Sequence, residues 1–223
     1  MNNKIPKTIE LYKSKASIAY SFVLDFEYPW EALPQISEAI ICLGRTLPED
    51  KFDILDKNIW IAKSAKVAKS ASITGPCIID EGAEIRHCAY IRGNAIVGKN
   101  AVVGNSTELK NCILFDGVQV PHYNYVGDSI LAFKAHMGAG AIISNVKSDK
   151  TPVVIKSEEA HIQTGLKKCG AFLGDFVEVG CGAVLNPGTV IGNNSTIYPL
   201  SSVRGVIGGN RIYKNSAETV EKT

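Results

Sequence analysis

Long apolar runs, aromatic side chains and an excess of one charge are all scarce in this chain of 223 residues. No stretch approaches the roughly 18 consecutive apolar residues of a spanning helix, so we expect no membrane partner. Lysine and arginine number 24 against 22 aspartate and glutamate, which disfavours a surface for nucleic acid or anionic lipid. The N-terminus has no apolar core followed by a cleavage site, so we expect a cytoplasmic protein.

Cysteine is present six times but never as a C-x-x-C pair, which disfavours a zinc ribbon or a thioredoxin-type site. We expect reduced thiols and no bound metal. Aromatic residues make up only 8% of the chain, whereas glycine occurs 20 times. This composition favours many short strands joined by tight corners.

An aliphatic residue recurs at every sixth position from Ile61 to Leu109, and again from Leu173 to Val203. A small residue usually follows four positions later, and Cys77 fills one of these places, where we expect a buried apolar side chain. A period of six fits neither a helix nor an alternating strand, but it is typical of a parallel β-helix. The sequence resembles the left-handed hexapeptide family, in which three hexapeptides form one coil of a triangular prism. The predicted fold class is therefore all-β, a left-handed parallel β-helix of hexapeptide repeats.

The repeat also divides the chain into segments. Residues 1–56 lack it and show two stretches of helix-like spacing, so we predict a helical cap over the first coil, with Gly44 ending the second helix. Residues 57–208 are predicted to form the β-helix. Within them, the repeat is interrupted at 146–170, which predicts a protruding loop with a hairpin. Residues 209–223 are predicted to be a polar tail.

One coil of three hexapeptides has eighteen residues, and counting in this step places charged residues side by side. Arg92 and Lys110 lie eighteen residues apart, so they are predicted to stack on neighbouring rungs. Two cations this close repel unless an anion is present; a phosphate is one interpretation and a solvated basic face is the other. The same count places Arg86, Gly104 and His122 in one column, with open space at Gly104 beside His122.

The repeat slips at residues 116–128, and His122 lies in that slip. Histidine titrates near neutrality, so His122 is a candidate general base, although a structural turn histidine is the alternative. The following segment, HMGAGAIISN at 136–145, offers backbone N–H groups free of large side chains. Such donors can bind an oxyanion or a pantetheine amide.

Three motifs, PHYNYVGDSI, MGAGAIISN and TGLKKCGAFLGD, resemble one family. It is the acetyltransferase half of the bifunctional sugar-1-phosphate nucleotidylyltransferase/acetyltransferases that make UDP-N-acetylglucosamine, and the last motif is most similar to the archaeal branch. The similarity covers about residues 58–208. It implies a homotrimer, with sites between subunits, that transfers an acetyl group from acetyl-CoA to an amino-sugar phosphate. The Gly-rich loop of the nucleotidylyltransferase half is absent, so we expect a stand-alone acetyltransferase half.

The resemblance also implies roles for individual residues. His122 matches the general base of the family, and Arg92 and Lys110 match the residues that hold the sugar phosphate. Tyr125 matches a sugar contact, and Asn145 matches an asparagine of the same pocket.

Three further positions concern the acetyl donor and the substrate that accepts the acetyl group. Ala139 matches a backbone contact to acetyl-CoA. His136 stands where the family usually has asparagine, and we retain it as a substrate-binding candidate. Cys181 stands where serine is common near the acyl donor, and we retain it as a candidate for binding the coenzyme.

Other functions stay open at this point. An acyltransferase with a different acceptor is one. A non-catalytic subunit that binds a sugar phosphate, or that docks a separate nucleotidylyltransferase, is another, and His136 is the feature that favours it. A γ-type carbonic anhydrase needs three histidines at a subunit interface. His87 and His122 are present, but no histidine lies five residues beyond His122.

Overall fold

The chain folds into a solenoid of short parallel strands around an aliphatic core. The computed structural model describes residues 4–215 and 218–222. From Ile79 onward, every aliphatic residue of the two predicted runs is almost fully buried, and so are Leu131, Met137 and Ile143 between the runs. The predicted class, a parallel β-helix of hexapeptide repeats, is confirmed.

Each coil contributes one strand to each of three faces. The strap face is the one that the N-terminal segment covers; the histidine face carries His122 and His136; the cation face carries Arg92 and Lys110. The strap face contains Phe52–Asp56, Ile59–Ala62, Cys77–Ile79, Ala95–Val97, Ala171–Leu173, Thr189–Ile191 and Val206–Ile207. The histidine face contains Lys66–Val67, Glu84–Ile85, Val102–Asn105, Gln119–His122, His136–Met137, Glu178–Val179, Thr196–Ile197, Arg211–Asn215 and Glu218–Glu221. The cation face contains Ser72–Ile73, Tyr90–Ile91, Ile142–Ile143, Val184–Leu185 and Ser202–Val203.

Two longer strands, Glu108–Leu114 and Tyr125–Leu131, run from the cation face onto the strap face without a break. Each has a residue in the left-handed conformation at the corner, Asn111 at φ 50° and Asp128 at φ 48°. Asparagine and aspartate tolerate this conformation better than most residues. At each of these corners the coil is one residue shorter than three full hexapeptides. Leu114, rather than Phe115, therefore pairs with Val97. The slip therefore begins at Asn111, earlier than predicted.

The shortened coil changes the partners of His122. Asn105 pairs with His122, and Val103 pairs with Val120. The predicted column of Arg86, Gly104 and His122 is confirmed for Arg86 and Gly104 but wrong for His122, because that count assumed eighteen residues per coil. Gly104 is not an open space either: a Cβ there would overlap the carbonyl oxygen of Pro121.

Both ends of the solenoid and the predicted loop carry antiparallel strands. Phe52–Asp56 pairs with Ile59–Ala62 at one end, and Glu218–Glu221 pairs with Arg211–Asn215 at the other, so the predicted polar tail contributes two strands. Residues 216, 217 and 223 of that tail lie outside the described residues. The predicted hairpin is present as Val154–Lys156 and His161–Gln163.

The N-terminal strap, residues 4–51, contains short helices: Thr8–Leu11, Tyr20–Leu24, the 3₁₀ helix Pro29–Gln35 and Ile36–Gly44. The second predicted helix does end at Gly44. No helix in the described ranges is long and apolar enough to cross a membrane.

The strap lies along one face of the prism, so the prediction of a cap over the first coil is wrong. The Tyr12 ring lies 5.1 Å from that of Phe115, and Trp30 lies 5.9 Å from Phe172. Farther along, the Asn193 side chain donates a hydrogen bond to the carbonyl of Glu10. Helical periodicity shows which side of a segment is apolar, but it does not show how far that side extends over its partner.

Asp175 anchors this strap. Its buried carboxylate accepts hydrogen bonds from the backbone N–H groups of Lys13, Ser14 and Phe133, and from the Ser14 hydroxyl. We expect Asp175→Ala to lower the free energy of unfolding by about 3 kcal/mol, because it leaves several donors without an acceptor. Denaturant unfolding measures this. Asp149→Ala, in the exposed loop, is the control, and an equal effect of both substitutions would contradict an anchoring role.

Candidate functional site

His122 lies at the corner between the histidine face and the cation face. Its side chain is exposed, and its ring has no hydrogen-bond partner among the described residues. The next residue, Tyr123, adopts a left-handed φ of 39° and turns the chain toward Tyr125. The ring of His122 therefore faces solvent at a tight turn, where a substrate amine could reach it.

Asn124 fixes this turn against the Gly-Ala-Gly stretch. It is buried, and its side-chain oxygen accepts the backbone N–H of His122 at 3.1 Å. Its amide nitrogen donates to the carbonyls of Gly138 at 2.8 Å and Ala141 at 3.1 Å. One side chain thus ties the backbone of the candidate base to the backbone of the candidate oxyanion donor.

Ala139 and Cys181 lie beside His122 on this corner. The Gly140 N–H donates to the His122 carbonyl at 3.1 Å, and the Gly182 N–H donates to the Ala139 carbonyl at 2.9 Å. The Ala139 N–H has no acceptor within the part of the chain that the structure describes. A Cβ at Gly138 would lie 2.7 Å from the backbone nitrogen of Cys181, so glycine is needed for this close approach. The corner therefore offers the N–H of the half-buried Ala139 as a donor next to His122.

Arg92 and Lys110 occupy adjacent rungs of the cation face, as predicted from their spacing: the Arg92 N–H donates to the carbonyl of Leu109. Each cation has a carboxylate of its own. Arg92 pairs with Glu108 at 2.7 Å, and Lys110 pairs with Asp128 at 2.8 Å. These carboxylates offset the repulsion between the two cations, a role that the sequence suggested for a phosphate.

Asp128 gathers the residues around Lys110 at the shortened corner. Besides Lys110, its carboxylate accepts the side-chain amides of Asn111 at 2.9 Å and Asn145 at 2.6 Å. The Asn145 amide also lies 3.2 Å from the Tyr125 hydroxyl. Burial raises the pKa of that hydroxyl, so it stays protonated at neutral pH. The structure thus brings Lys110, Tyr125 and Asn145 into one cluster.

His136 lies apart from this cluster. It stands on the histidine face, next to Gln119, and its Nδ1 is 2.8 Å from a carboxylate oxygen of Glu178. Lys110 and Asn145 line a different face of the prism. The structure therefore does not bring His136 against the other substrate-binding candidates of the same chain.

Three further residues organise the site and received no role from sequence reasoning: Glu108, Asn124 and Asp128. A signal for Asp128 was present, since it follows Lys110 by the same eighteen residues that separate Lys110 from Arg92. Glu108 and Asn124 carry no comparable signal, because neither lies a whole coil of eighteen residues from its side-chain partners.

The fold defines the chain as a hexapeptide-repeat β-helix. Comparison with known proteins shows which proteins of this kind it is similar to. The family described as the GMPPB C-terminal domain matches residues 73–173. A bifunctional sugar-1-phosphate nucleotidylyltransferase/acetyltransferase of Sulfurisphaera tokodaii is 35% identical over 109 residues, which are 49% of this chain and 27% of that protein. A bifunctional protein GlmU of Methanococcus maripaludis is 37% identical over 93 residues, 42% of this chain and 22% of that protein.

Among solved structures, the acetyltransferase domain of PglB from Neisseria gonorrhoeae, in complex with acetyl coenzyme A, is 16% identical, with a TM-score of 0.34. The alignment covers 84% of this chain and 64% of that one. This chain spans about a quarter of the length of the curated relatives it matches. Over the matched residues it is similar to the acetyltransferase half of the bifunctional proteins, and the resemblance stated from its motifs is confirmed.

Proposed function

We propose that this protein is a coenzyme-A-dependent N-acyltransferase that uses acetyl-CoA and acts on an amino-sugar 1-phosphate. The observation that carries the proposal is the corner at His122. His122, with its exposed imidazole, lies beside the Ala139 N–H, which has no acceptor among residues 4–215 and 218–222, and the buried Asn124 holds the two backbone segments together. The similarity to the bifunctional acetyltransferases supports the same reaction.

The proposed reaction is a direct transfer. His122 takes a proton from the acceptor amine, whose nitrogen attacks the thioester carbonyl carbon. The Ala139 N–H donates a hydrogen bond to the oxyanion that forms on the carbonyl oxygen. The C–N bond is then complete, the C–S bond breaks, and the thiolate of coenzyme A leaves and receives the proton. Positioning and electrostatics supply most of the rate, because no covalent enzyme intermediate is needed.

The acceptor site is proposed on the cation face. Lys110 and Arg92 would hold the phosphate, while Tyr125 and Asn145 would contact the sugar. Lys110 stays bonded to Asp128, because an ammonium group has three donors and the carboxylate takes two bonds at 2.8 and 3.0 Å. One donor then remains for a phosphate oxygen. The donor site is proposed at Ala139 and Cys181, with His136 available to contact substrate held by a neighbouring subunit.

The proposed assembly is a homotrimer, and the surface next to His122 supports an association of subunits there. The corner and its margins expose large apolar side chains: Tyr90, Tyr123, Ile142, Tyr198 and Leu200. Leu200 is 85% exposed, and exposed large apolar side chains that recur along one edge support a protein interface. The strap already covers one of the three faces. We therefore propose that copies of the chain associate through this corner, which places His122 at the interface.

We expect Leu200→Glu to convert the oligomer to monomers, because it buries a charge at the proposed interface. Light scattering after gel filtration measures the mass in solution. Leu55→Glu is a matched control, because Leu55 is 68% exposed at the end of the prism, away from the corner. A Leu200→Glu protein that keeps the wild-type mass would contradict this interface.

The test of function is thiol release from acetyl-CoA with a panel of amino-sugar 1-phosphates. Release that requires a particular acceptor supports the proposal and identifies that acceptor. No release with any acceptor, from a folded oligomer, would overturn it. Glucosamine and galactosamine phosphates belong in the panel, because the site residues do not separate them.

A binding or scaffold subunit is the second candidate function. Two observations favour it: the matching family is described as a C-terminal domain, and both candidate phosphate ligands already have carboxylate partners. Affinity capture with a nucleotidylyltransferase as bait tests it. Retention of that enzyme, without acetyl-CoA turnover, would support the scaffold over the transferase.

A further inference from the structure

Asp128 has an arrangement of contacts that the proposed reaction does not itself require. Its side chain is almost completely buried, yet it carries a carboxylate at a corner where the backbone is left-handed. A buried carboxylate is costly unless its oxygens are paired and hydrogen-bonded. Here Lys110, Asn111 and Asn145 satisfy both oxygens. The role of this carboxylate can therefore be inferred from the side chains that it binds.

Those partners connect three parts of the molecule. Lys110 belongs to the neighbouring rung of the cation face, and Asn145 is among the last residues before the protruding loop. Asn111 donates both to Asp128 and, at 3.3 Å, to the carbonyl of Leu33 in the strap. Asp128 is thus the common acceptor for the cation face and the base of the loop, and Asn111 connects it to the strap.

The surrounding backbone leaves little freedom for another arrangement. A Cβ at Gly127 would lie 2.5 Å from the Tyr125 hydroxyl and 2.8 Å from the Asn145 amide nitrogen. The side chains of Tyr125 and Asn145 therefore fold over Gly127 directly beside the Lys110–Asp128 ion pair. Lysine has four rotatable side-chain bonds, so its ammonium group is placed only as well as its partner places it.

We propose that Asp128 is a positioning residue that holds Lys110 and Asn145 in one fixed arrangement and so determines the preference for a phosphorylated acceptor. This inference rests on the proposed function for the identity of the acceptor. Asp128 acts through Lys110 and Asn145 and does not touch the reacting atoms. Its carboxylate orients the lysine; it does not compete with the phosphate for it.

The experiment compares wild type with Asp128→Asn, an isosteric change that removes the charge. Calorimetric titration gives the Kd for glucosamine 1-phosphate and for unphosphorylated glucosamine, and thiol release gives kcat and KM separately. We expect Kd and KM for the phosphorylated acceptor to rise about tenfold or more, since charge-assisted hydrogen bonds to Lys110 are lost. The oxygen of the new asparagine can still accept the amide of Asn145, so the values for glucosamine and the kcat should change less than about threefold.

Several outcomes would overturn the inference. Equal losses for both acceptors would indicate a purely structural role, and tighter binding by Asp128→Asn would show that the carboxylate competes with phosphate. Wild type that does not bind the phosphorylated acceptor would also overturn it. Binding that depends on Asp128, without turnover, would support the inference while removing the proposed reaction.

If Asp128→Asn does not fold, a measurement on the wild-type protein tests the inference instead. A crystal structure with glucosamine 1-phosphate should show Lys110 Nζ within hydrogen-bonding distance of Asp128 and of a phosphate oxygen together. Lys110 separated from Asp128 in that complex would contradict the inference.

Discussion

Replacement of His122 by alanine is expected to lower the turnover number by roughly 10²- to 10⁴-fold, the usual contribution of a positioned general base. The acceptor amine must lose a proton as the new C–N bond forms, and an imidazole can accept that proton near neutral pH, whereas the neighbouring exposed phenol of Tyr123 is protonated there and has no free base to offer. Thiol release from acetyl-CoA, with saturating acceptor, measures the effect.

The fold should survive this change, because the His122 ring is exposed and the contacts of Asn124 are to the backbone of residue 122. Coenzyme A binding and the mass in solution should therefore match those of wild type. His161→Ala is the matched control, since His161 is exposed on the hairpin far along the chain from the corner. Turnover that is unchanged in His122→Ala would remove this histidine as the base.

Gly104→Ala is expected to lower the free energy of unfolding by more than about 3 kcal/mol, at or above the upper end for overpacked sites. A methyl group at this position would overlap the backbone of Pro121 on the next coil, and two backbones cannot separate without breaking the ladder between Val102–Asn105 and Gln119–His122. The damage would reach His122 directly, because His122 pairs with Asn105 in that ladder.

Guanidinium unfolding of the variant, at one protein concentration, measures this loss. Gly209→Ala is the control: its new methyl would lie 3.2 Å from the nearest atom, the carbonyl oxygen of Asn193. We expect that control to change stability by less than about 1 kcal/mol. Comparable unfolding of both variants would mean that the two coils are not in tight contact at Gly104.

The sequence was sufficient to predict the solenoid because the core residues recur with a fixed period. Ile79, Val97 and the other inward residues could be assigned by counting, and Arg92 could be placed beside Lys110 in the same way. The count failed where Asn111 and Asp128 shorten the corner. Nothing in a single sequence shows that two polar residues will adopt left-handed φ angles and remove one residue from each coil.

The residues that organise the candidate site could not be predicted, for a related physical reason. His122 and Lys110 are chemically conspicuous, so they could be selected by residue type and spacing. The residues that hold them, Asn124 and Asp128, act through tertiary hydrogen bonds that depend on the shortened register. The location of the strap was equally hidden, because Asp175 is more than 160 positions from the segment that it anchors.

The strap has a consequence for how the molecule unfolds. A bare solenoid makes contacts only between adjacent repeats, so its terminal coils can unzip one after another at low free-energy cost. Here the strap contacts Phe115, Phe172, Asp175 and Asn193, so a single segment crosses several coils of the solenoid. Releasing any one of those coils requires that part of the strap also be released. We therefore expect the strap to couple the opening of distant coils, so that the solenoid unfolds cooperatively. Because the contacts of the strap are long-range, we also expect them to slow folding.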